Sequence, residues 1–322
     1  MRDGNAVRLL AALAIIPLSI GAQVSSERSP GSDAHAVTVT FFAEDEDGSP
    51  LTNLQLSDLS VRDNGKPPLR LVSLASAKEL PLQLGILIDT NPDRGLHQRS
   101  ATAFQQFEHD WHESVGEAAV DFARQMMTGP EDKAFIATYA SIQHGTTFVT
   151  RDQLRPIDLN QFLEENAPDF LGFRDAVRVA CTKVFGADPA TRERRILIVT
   201  PWAGGRSLSD YSQTLSAAQR AGVKVFILGG VIFLDRGSMV GRGDVGWGEL
   251  IGPETGGYWL QTPKPAEWFE HIKTEIDSMY SLTYVPTEPY QSGKLRKLDL
   301  KIATNKSWQV YAPKRYLMAS AP

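Results

Sequence analysis

The chain has 322 residues, 42% of them hydrophobic and 22% charged, and a net charge of -5. This length suits one large domain with a smaller one, and the composition is that of an ordinary globular protein. The negative charge and the lack of a long basic run argue against nucleic acid and anionic lipid as partners.

The N-terminus has the features of a secretory signal peptide. Arg2 and Arg8 accompany an apolar run from Leu9 to Ile20, which is shorter than the roughly 20 residues of a membrane span. We predict that residues 1–22 are a signal peptide and that residues 23–35, rich in Ser, Pro and Gly, form a disordered linker. The mature protein is then periplasmic or secreted, with no membrane span; an uncleaved anchor is the alternative.

The next segment, residues 36–78, has the pattern of a small β unit. Ala36–Phe42 alternates apolar and polar residues, which favours a strand. Ser60–Lys66 predicts a strand that enters an Asn-Gly hairpin, and Leu69–Leu74 supplies the returning strand.

Residues 80–280 alternate between strand and helix patterns, which predicts βαβ units and a mostly parallel sheet with helices on both faces. The predicted strands are Leu84–Ile88, Lys133–Tyr139, Arg195–Thr200 and Val223–Leu228. The predicted helices are Leu96–Met127, Asp175–Phe185, Ser209–Ala221 and Pro265–Tyr280.

The C-terminal residues 281–317 return to a β pattern. Strands are predicted at Ser281–Val285, Lys297–Ala303 and Trp308–Val310. Because three short strands are rarely stable alone, we expect them to pair with residues 36–78. Both ends of the chain then form one small β domain beside the α/β domain.

The end of the first predicted parallel strand is the main candidate site. Asp89, Asn91 and Asp93 follow Leu84–Ile88 directly and alternate along the chain. Open α/β sheets bind ligands at the carboxyl ends of their strands. Three oxygen-bearing side chains can converge there on a hard cation.

Several short segments occur in the order found in one known family. They are Asp45–Thr52, Val61–Pro67, Leu84–Asp89, Asp132–Phe135, Asp175-Ala176 with Cys181, Arg195–Thr200, Glu254–Gly257 and Tyr280–Pro286. In this order they resemble the bacterial, acidobacterial-type VWFA-related family, whose fold is that of von Willebrand factor A (VWA). The resemblance covers about 36–317 and implies a metal-ion-dependent adhesion site (MIDAS), at which a partner carboxylate completes the coordination of a metal.

The sequence departs from that MIDAS pattern at most of its positions. Asp89 matches the first Asp, whereas Asn91 and Asp93 replace two serines. Leu171 falls where the family has a threonine and Pro201 where it has an acid. Because hard divalent cations require six or more oxygens, we expect a degenerate MIDAS and no tightly bound metal.

Two alternatives remain for these acids. A rearranged site that recruits Asp169 can bind Mg²⁺ or Mn²⁺ weakly. Otherwise, Asp89 and Asp93 cap the following helix or pair with Arg94 or Arg174.

Other residues suggest contacts or alternative chemistry. Trp202 and Arg206 follow a predicted strand end and are expected beside Asp89, where Trp and Arg are frequent binding hot spots. His109 and His112 share a helix face and, with the flanking acids, could hold zinc, but a solvated helix face is the expected role. Cys181, the only cysteine, is expected to be a small buried apolar residue.

The sequence therefore predicts an exported, non-catalytic protein without a cofactor. Its crevice-side loops are expected to bind a protein or cell-envelope partner. The predicted contact residues are Asp89, Asn91, Asp93, Trp202 and Arg206. The alternatives are a Mg²⁺- or Mn²⁺-dependent adhesion protein and an exported hydrolase of unrecognised type.

Overall fold

A computed structural model gives the architecture of the larger part of the chain. The ranges it describes are 36–90, 101–155, 171–186, 193–200, 209–228, 250–260, 265–288 and 293–318. The predicted signal peptide and linker lie outside these ranges.

A five-stranded, wholly parallel sheet forms the centre of the α/β part. Its strands are β4 (Leu82–Ile88), β5 (Lys133–Thr138), β6 (Arg194–Thr200), β7 (Lys224–Leu228) and β8 (Trp259–Leu260). Their order across the sheet is β5-β4-β6-β7-β8. The first four confirm the predicted strands, and β8 was not predicted. An antiparallel bridge from Ala134 to Val149 extends the β5 edge.

Helices cover both faces of this sheet, as predicted. They are α1 (Ala101–Met126), α2 (Phe173–Val179, continued by a π-helical turn at Ala180–Val184), α3 (Tyr211–Ala221) and α4 (Pro265–Asp277). α1 and α4 pack on the face that carries Leu84, Ile86 and Ile88. α2 and α3 pack on the opposite face, which carries Leu87 and Leu197. No described helix has the length and apolar composition to cross a membrane.

Two antiparallel sheets combine strands from both ends of the chain, as predicted. The N-terminal strands are β1 (Val37–Glu44), β2 (Leu59–Asp63) and β3 (Arg70–Ser76). The C-terminal strands are β9 (Tyr280–Val285), β10 (Leu295–Ile302), β11 (Gln309–Tyr311) and β12 (Arg315–Leu317). One sheet has the order β11-β1-β9-β3 and the other β12-β10-β2. Their apolar faces enclose a separate core.

The predicted pairing of β2 with the strand after the Asn-Gly turn is wrong. Asn64 and Gly65 do form a tight turn with positive φ, but only Asp63 and Lys66 bridge across it. β2 instead pairs with β10, and β3 pairs with β9. Pro67-Pro68 has no amide hydrogen to continue a hairpin ladder. The chain therefore leaves the sheet β12-β10-β2 and enters the sheet β11-β1-β9-β3.

Candidate functional site

The candidate crevice lies at the point where the sheet reverses its winding. From β4 the chain passes through α1 to β5 on one side, and from β6 it passes through α3 to β7 on the other. β4 and β6 are parallel neighbours, but the connections that follow them run to opposite sides of the sheet. This divergence leaves a crevice at the carboxyl ends of the two strands, where ligands bind in open α/β sheets. The amide nitrogen of Asp89 donates to the carbonyl oxygen of Thr200 at 3.0 Å. Asp89 therefore lies at this switch point.

Fully buried polar residues lie at this point, among them two that directly follow β4. Asp89 and Thr90 both have 0% exposure. The Thr90 hydroxyl has no hydrogen-bond partner among the described residues, whereas the Thr200 hydroxyl donates to the carbonyl oxygen of Leu87 at 3.3 Å. Thr90 was missed from sequence because only the alternate positions Asp89, Asn91 and Asp93 were considered. Its position directly after a strand end is the signal that identifies it.

The segment opposite contributes an apolar side chain and a structural acid. Leu171 is half-buried against the apolar cluster that contains Phe173. The Asp175 carboxylate accepts hydrogen bonds from Ser209 N at 2.9 Å and Ser209 Oγ at 2.5 Å. Arg178 Nε donates to the same hydroxyl at 2.6 Å. Asp175 thus joins α2 to the residues that precede α3.

These residues do not by themselves fit a hard divalent cation. Asp89 offers a carboxylate and Thr90 a hydroxyl, but Leu171 has no side-chain oxygen and packs, partly buried, against an apolar cluster. Within the described ranges, the acidic, histidine and cysteine side chains form no group of three that can hold a metal. A hard divalent cation takes six or more oxygens, some of which water supplies.

The other predicted site residues are not brought together by the described structure. Asn91, Asp93, Asp169, Trp202 and Arg206 lie outside the described residues. His109 and His112 lie within the helix α1. The solvated surface expected for their side chains stays a prediction. Cys181 is buried as predicted, and burial raises the pKa of its thiol to about 12, which keeps it protonated and unreactive.

A buried pair of carboxyl groups lies away from the crevice and was not predicted. Glu44 of β1 and Glu275 of α4 have 9% and 1% exposure. Burial raises the pKa of both, that of Glu275 to about 9. The charge of Glu44 raises the pKa of Glu275 further, whereas the contact with Glu275 lowers the pKa of Glu44. The Nδ1 atom of His271 lies 2.9 Å from Glu275 Oε1, and the hydroxyls of Tyr258 and Tyr311 face the pair.

A sequence signal for Glu275 does exist. Phe269, Ile272, Ile276 and Met279 form the buried stripe of α4 and the residues after it. Glu275 follows Ile272 by three residues, so a helical projection places it on that stripe. An acid on the apolar face of an amphipathic helix indicates a buried carboxyl group.

Comparison with known proteins yields weak structural similarities. No family model matches the sequence, and no curated protein matches it. Proximal thread matrix protein 1 from the mussel byssus superposes with a TM-score of 0.40 and 13% identity, over 65% of this chain and 49% of that chain. A structure of the same protein with a zinc-occupied MIDAS motif gives the same score, over 48% of that chain.

A bacterial structure gives a similar result. The pilus adhesin SpaC from Lactobacillus rhamnosus GG, in an open conformation, superposes with a TM-score of 0.40 and 9% identity, over 81% of this chain and 48% of that chain. The chain thus spans about half the length of these structures. The assignment of the fold class rests on the sheet order and the two helical layers, not on these similarities.

Proposed function

We propose that this chain is an exported, non-catalytic binding protein of the VWA type. Its crevice-side loops contact a protein or a cell-envelope component, and its MIDAS is degenerate. The observation that supports this most directly is the position of Asp89 and Thr90, which are buried at the switch point of the sheet. Ligands of open α/β sheets bind there.

Binding without a tightly held metal follows from the groups around the crevice. An intact VWA site binds through a cation that a partner carboxylate completes. Leu171 has no side-chain oxygen and packs, partly buried, against an apolar cluster. We therefore assign partner binding to polar and aromatic contacts at the crevice, with Asp89, Asn91, Asp93, Trp202 and Arg206 as the contact residues.

The metal-free part of this proposal is tested by titration calorimetry with Mg²⁺ and Mn²⁺ on the chain without its signal peptide. The expected result is no saturable heat at millimolar metal. Saturable binding that disappears in Asp89→Asn would instead establish the rearranged, metal-dependent site.

The partner-binding part is tested by affinity capture from a cell-envelope extract. Wild type is expected to retain a specific component that Trp202→Ala loses. Trp308→Ala is the matched control, because it removes another indole, one that packs against the core between the antiparallel sheets. Equal capture by all three proteins would contradict a role of the crevice loops.

The absence of catalysis is tested by activity profiling against hydrolase substrates. No turnover is expected. Turnover that is lost in Asp89→Ala would favour the hydrolase alternative, because this change removes the buried carboxylate at the switch point.

Export is tested separately, by expression of the full chain with its N-terminus intact. The processed protein is expected in the soluble periplasmic or extracellular fraction, with Gln23 as its first residue. Retention of the unprocessed chain in the membrane fraction would instead favour the uncleaved anchor.

A further inference from the structure

The outer face of the sheet β12-β10-β2 is rich in cations. Alternation along the strands exposes Arg62 of β2, Lys297 and Lys301 of β10 and Arg315 of β12 on this face. Asp299 is the only acid that the three described strands place there, and its Oδ2 atom lies 3.0 Å from Lys301 Nζ. The face therefore has a net positive charge, although the whole chain has a net charge of -5.

Two of these cations lie directly opposite each other. Lys297 and Arg315 are Cα partners in the antiparallel ladder. Side chains in such a pair start about 5 Å apart, and like charges at this distance destabilise a sheet. Within the ranges that the structure describes, neither residue forms an ion pair with an acidic side chain. A pair of this kind becomes favourable when an external anion lies across it.

Protection of sheet edges does not explain the pattern. Lysine on an edge strand prevents unwanted strand pairing. Lys297 and Lys301, however, lie on β10, the central strand of this sheet, which has a partner on each side. Their common face is turned towards solvent, not towards the strand edge.

We propose that this face binds an acidic polysaccharide. Lys297 and Lys301 are separated by about 14 Å along β10, since each residue of a strand advances about 3.4 Å. Three strands at about 4.8 Å spacing distribute the four cations across the face as well. An extended polymer with repeated carboxylate, sulfate or phosphate groups matches this distribution.

Other polyanions fit this face less well. A planar anionic membrane would also approach the acidic remainder of the molecule, whereas a linear chain contacts only a narrow strip. Single-stranded nucleic acid binds through aromatic residues on which bases stack. The described outer positions of these three strands carry no aromatic side chain. This proposal concerns a different surface from the crevice and does not depend on the function proposed above.

The test is a titration of the chain with polygalacturonate, with dextran as the uncharged comparison. Binding to polygalacturonate but not to dextran is expected at low salt. Because counterions are released, the Kd is expected to rise by about tenfold or more between 50 and 200 mM salt, by analogy with nucleic acids that make several such contacts.

The matched variants are Lys297→Gln/Arg315→Gln on the face and Lys183→Gln/Arg151→Gln elsewhere. Each removes one exposed lysine and one exposed arginine. The first is expected to weaken binding by about tenfold and to halve the salt slope, since two of four cations are lost. The second is expected to change neither quantity. Cooperative unfolding of both double variants, at melting temperatures no lower than that of the wild type, establishes that the fold is intact, and Arg62→Gln/Lys301→Gln provides an independent pair.

Three results would overturn the proposal. One is the absence of polygalacturonate binding at low salt. Another is equal weakening by the face variants and the control. The third is tighter binding of phosphatidylglycerol vesicles or of a single-stranded DNA oligonucleotide than of polygalacturonate, which would assign the face to a different class of macromolecule.

Discussion

Buried ionisable side chains are where this molecule departs most from ordinary residue preferences. Glutamate is almost never fully buried without a partner, because removal of its charge from water is unfavourable. Glu275 satisfies this rule by staying protonated, since burial, with a contribution from the charge of Glu44, raises its pKa to about 9. A protonated carboxyl group can donate to a second carboxyl group. Glu275 is therefore protonated near neutral pH.

This pair makes stability depend on pH. In the unfolded chain glutamate titrates near about 4.3, whereas Glu275 titrates near about 9 in the folded protein. Between these values the folded state holds a proton that the unfolded state has released, so the free energy of unfolding falls as the pH rises. Its contribution is complete below about 4.3 and is lost as the pH rises through about 9.

Replacement of Glu275 by Gln is expected to remove this dependence, because the amide mimics the protonated acid. At pH 8 the variant should exceed wild type in free energy of unfolding by about 1 kcal/mol or more, and at pH 4 the difference should vanish. Denaturant unfolding from pH 4 to pH 9 measures this difference in the free energy of unfolding. Glu270→Gln, an exposed position on the same helix, is the control. Equal pH profiles for the two variants would contradict the prediction.

At the same scale, the candidate site could be predicted only in part. Asp89 was placed at the crevice because a continuously apolar strand ends there, and β4 confirms that strand. The hydroxyl of Thr90 was missed, although it is one of the buried polar groups that have no hydrogen bond within the described residues. Sequence alone shows which residue types follow a strand, but it does not show which of their polar atoms lose access to water.

At the scale of elements, the local sequence pattern predicted where strands lie better than it predicted which strands pair. Continuous apolar runs identified four of the parallel strands, because both faces of each are covered. β8 was missed, since Trp259-Leu260 is too short to have a period. The incorrect β2–β3 hairpin has another cause: partner choice depends on strands more than 200 residues away, such as β10.

The cationic face is a further consequence of long-range pairing. Arg62 and Arg315 lie at opposite ends of the sequence, and neither belongs to a basic run. The ladders of β10 bring both onto one surface. Composition therefore argued against anionic partners, whereas the strand order creates a surface that suits one.

Because Lys297 and Arg315 lie opposite each other, we expect a substitution that stabilises the fold there to weaken polyanion binding. Lys297→Glu should place opposite charges across the ladder and raise the free energy of unfolding by roughly 0.2–1 kcal/mol. The same change should weaken polygalacturonate binding. Denaturant unfolding at low and high salt measures the first effect, and the gain should shrink at high salt because the pair is exposed. Lys183→Glu, an exposed lysine outside the sheets, should change neither quantity. A lower stability in Lys297→Glu would contradict the prediction.

At the scale of the whole molecule, β1 joins the two kinds of sheet. Its Phe41 points into the core between the antiparallel sheets, whereas Phe42 enters the core beneath α1 and α4. The ring of Phe42 stacks on Tyr311 with centroids 4.5 Å apart and lies 6.1 Å from the ring of Phe226 in β7. The buried amine of Lys224 adds a hydrogen bond of 2.6 Å to the carbonyl oxygen of Thr40.

These contacts predict that the parallel and antiparallel parts unfold together, and that Phe42 couples them. Phe42→Ala and Phe41→Ala each delete a ring with 0% exposure and should each lower the free energy of unfolding by about 3–5 kcal/mol. Only Phe42→Ala removes a contact with the parallel sheet, so only this variant should separate the unfolding of the two parts.

The measurement follows unfolding in denaturant by hydrogen exchange of amides in β4 and β6 and of amides in β9 and β10. Both sets should exchange through one transition in wild type and in Phe41→Ala. In Phe42→Ala the antiparallel set should open at lower denaturant than the parallel set. A single shared transition in Phe42→Ala would place the coupling elsewhere, and Lys224→Met would then test whether the hydrogen bond to Thr40 carries it.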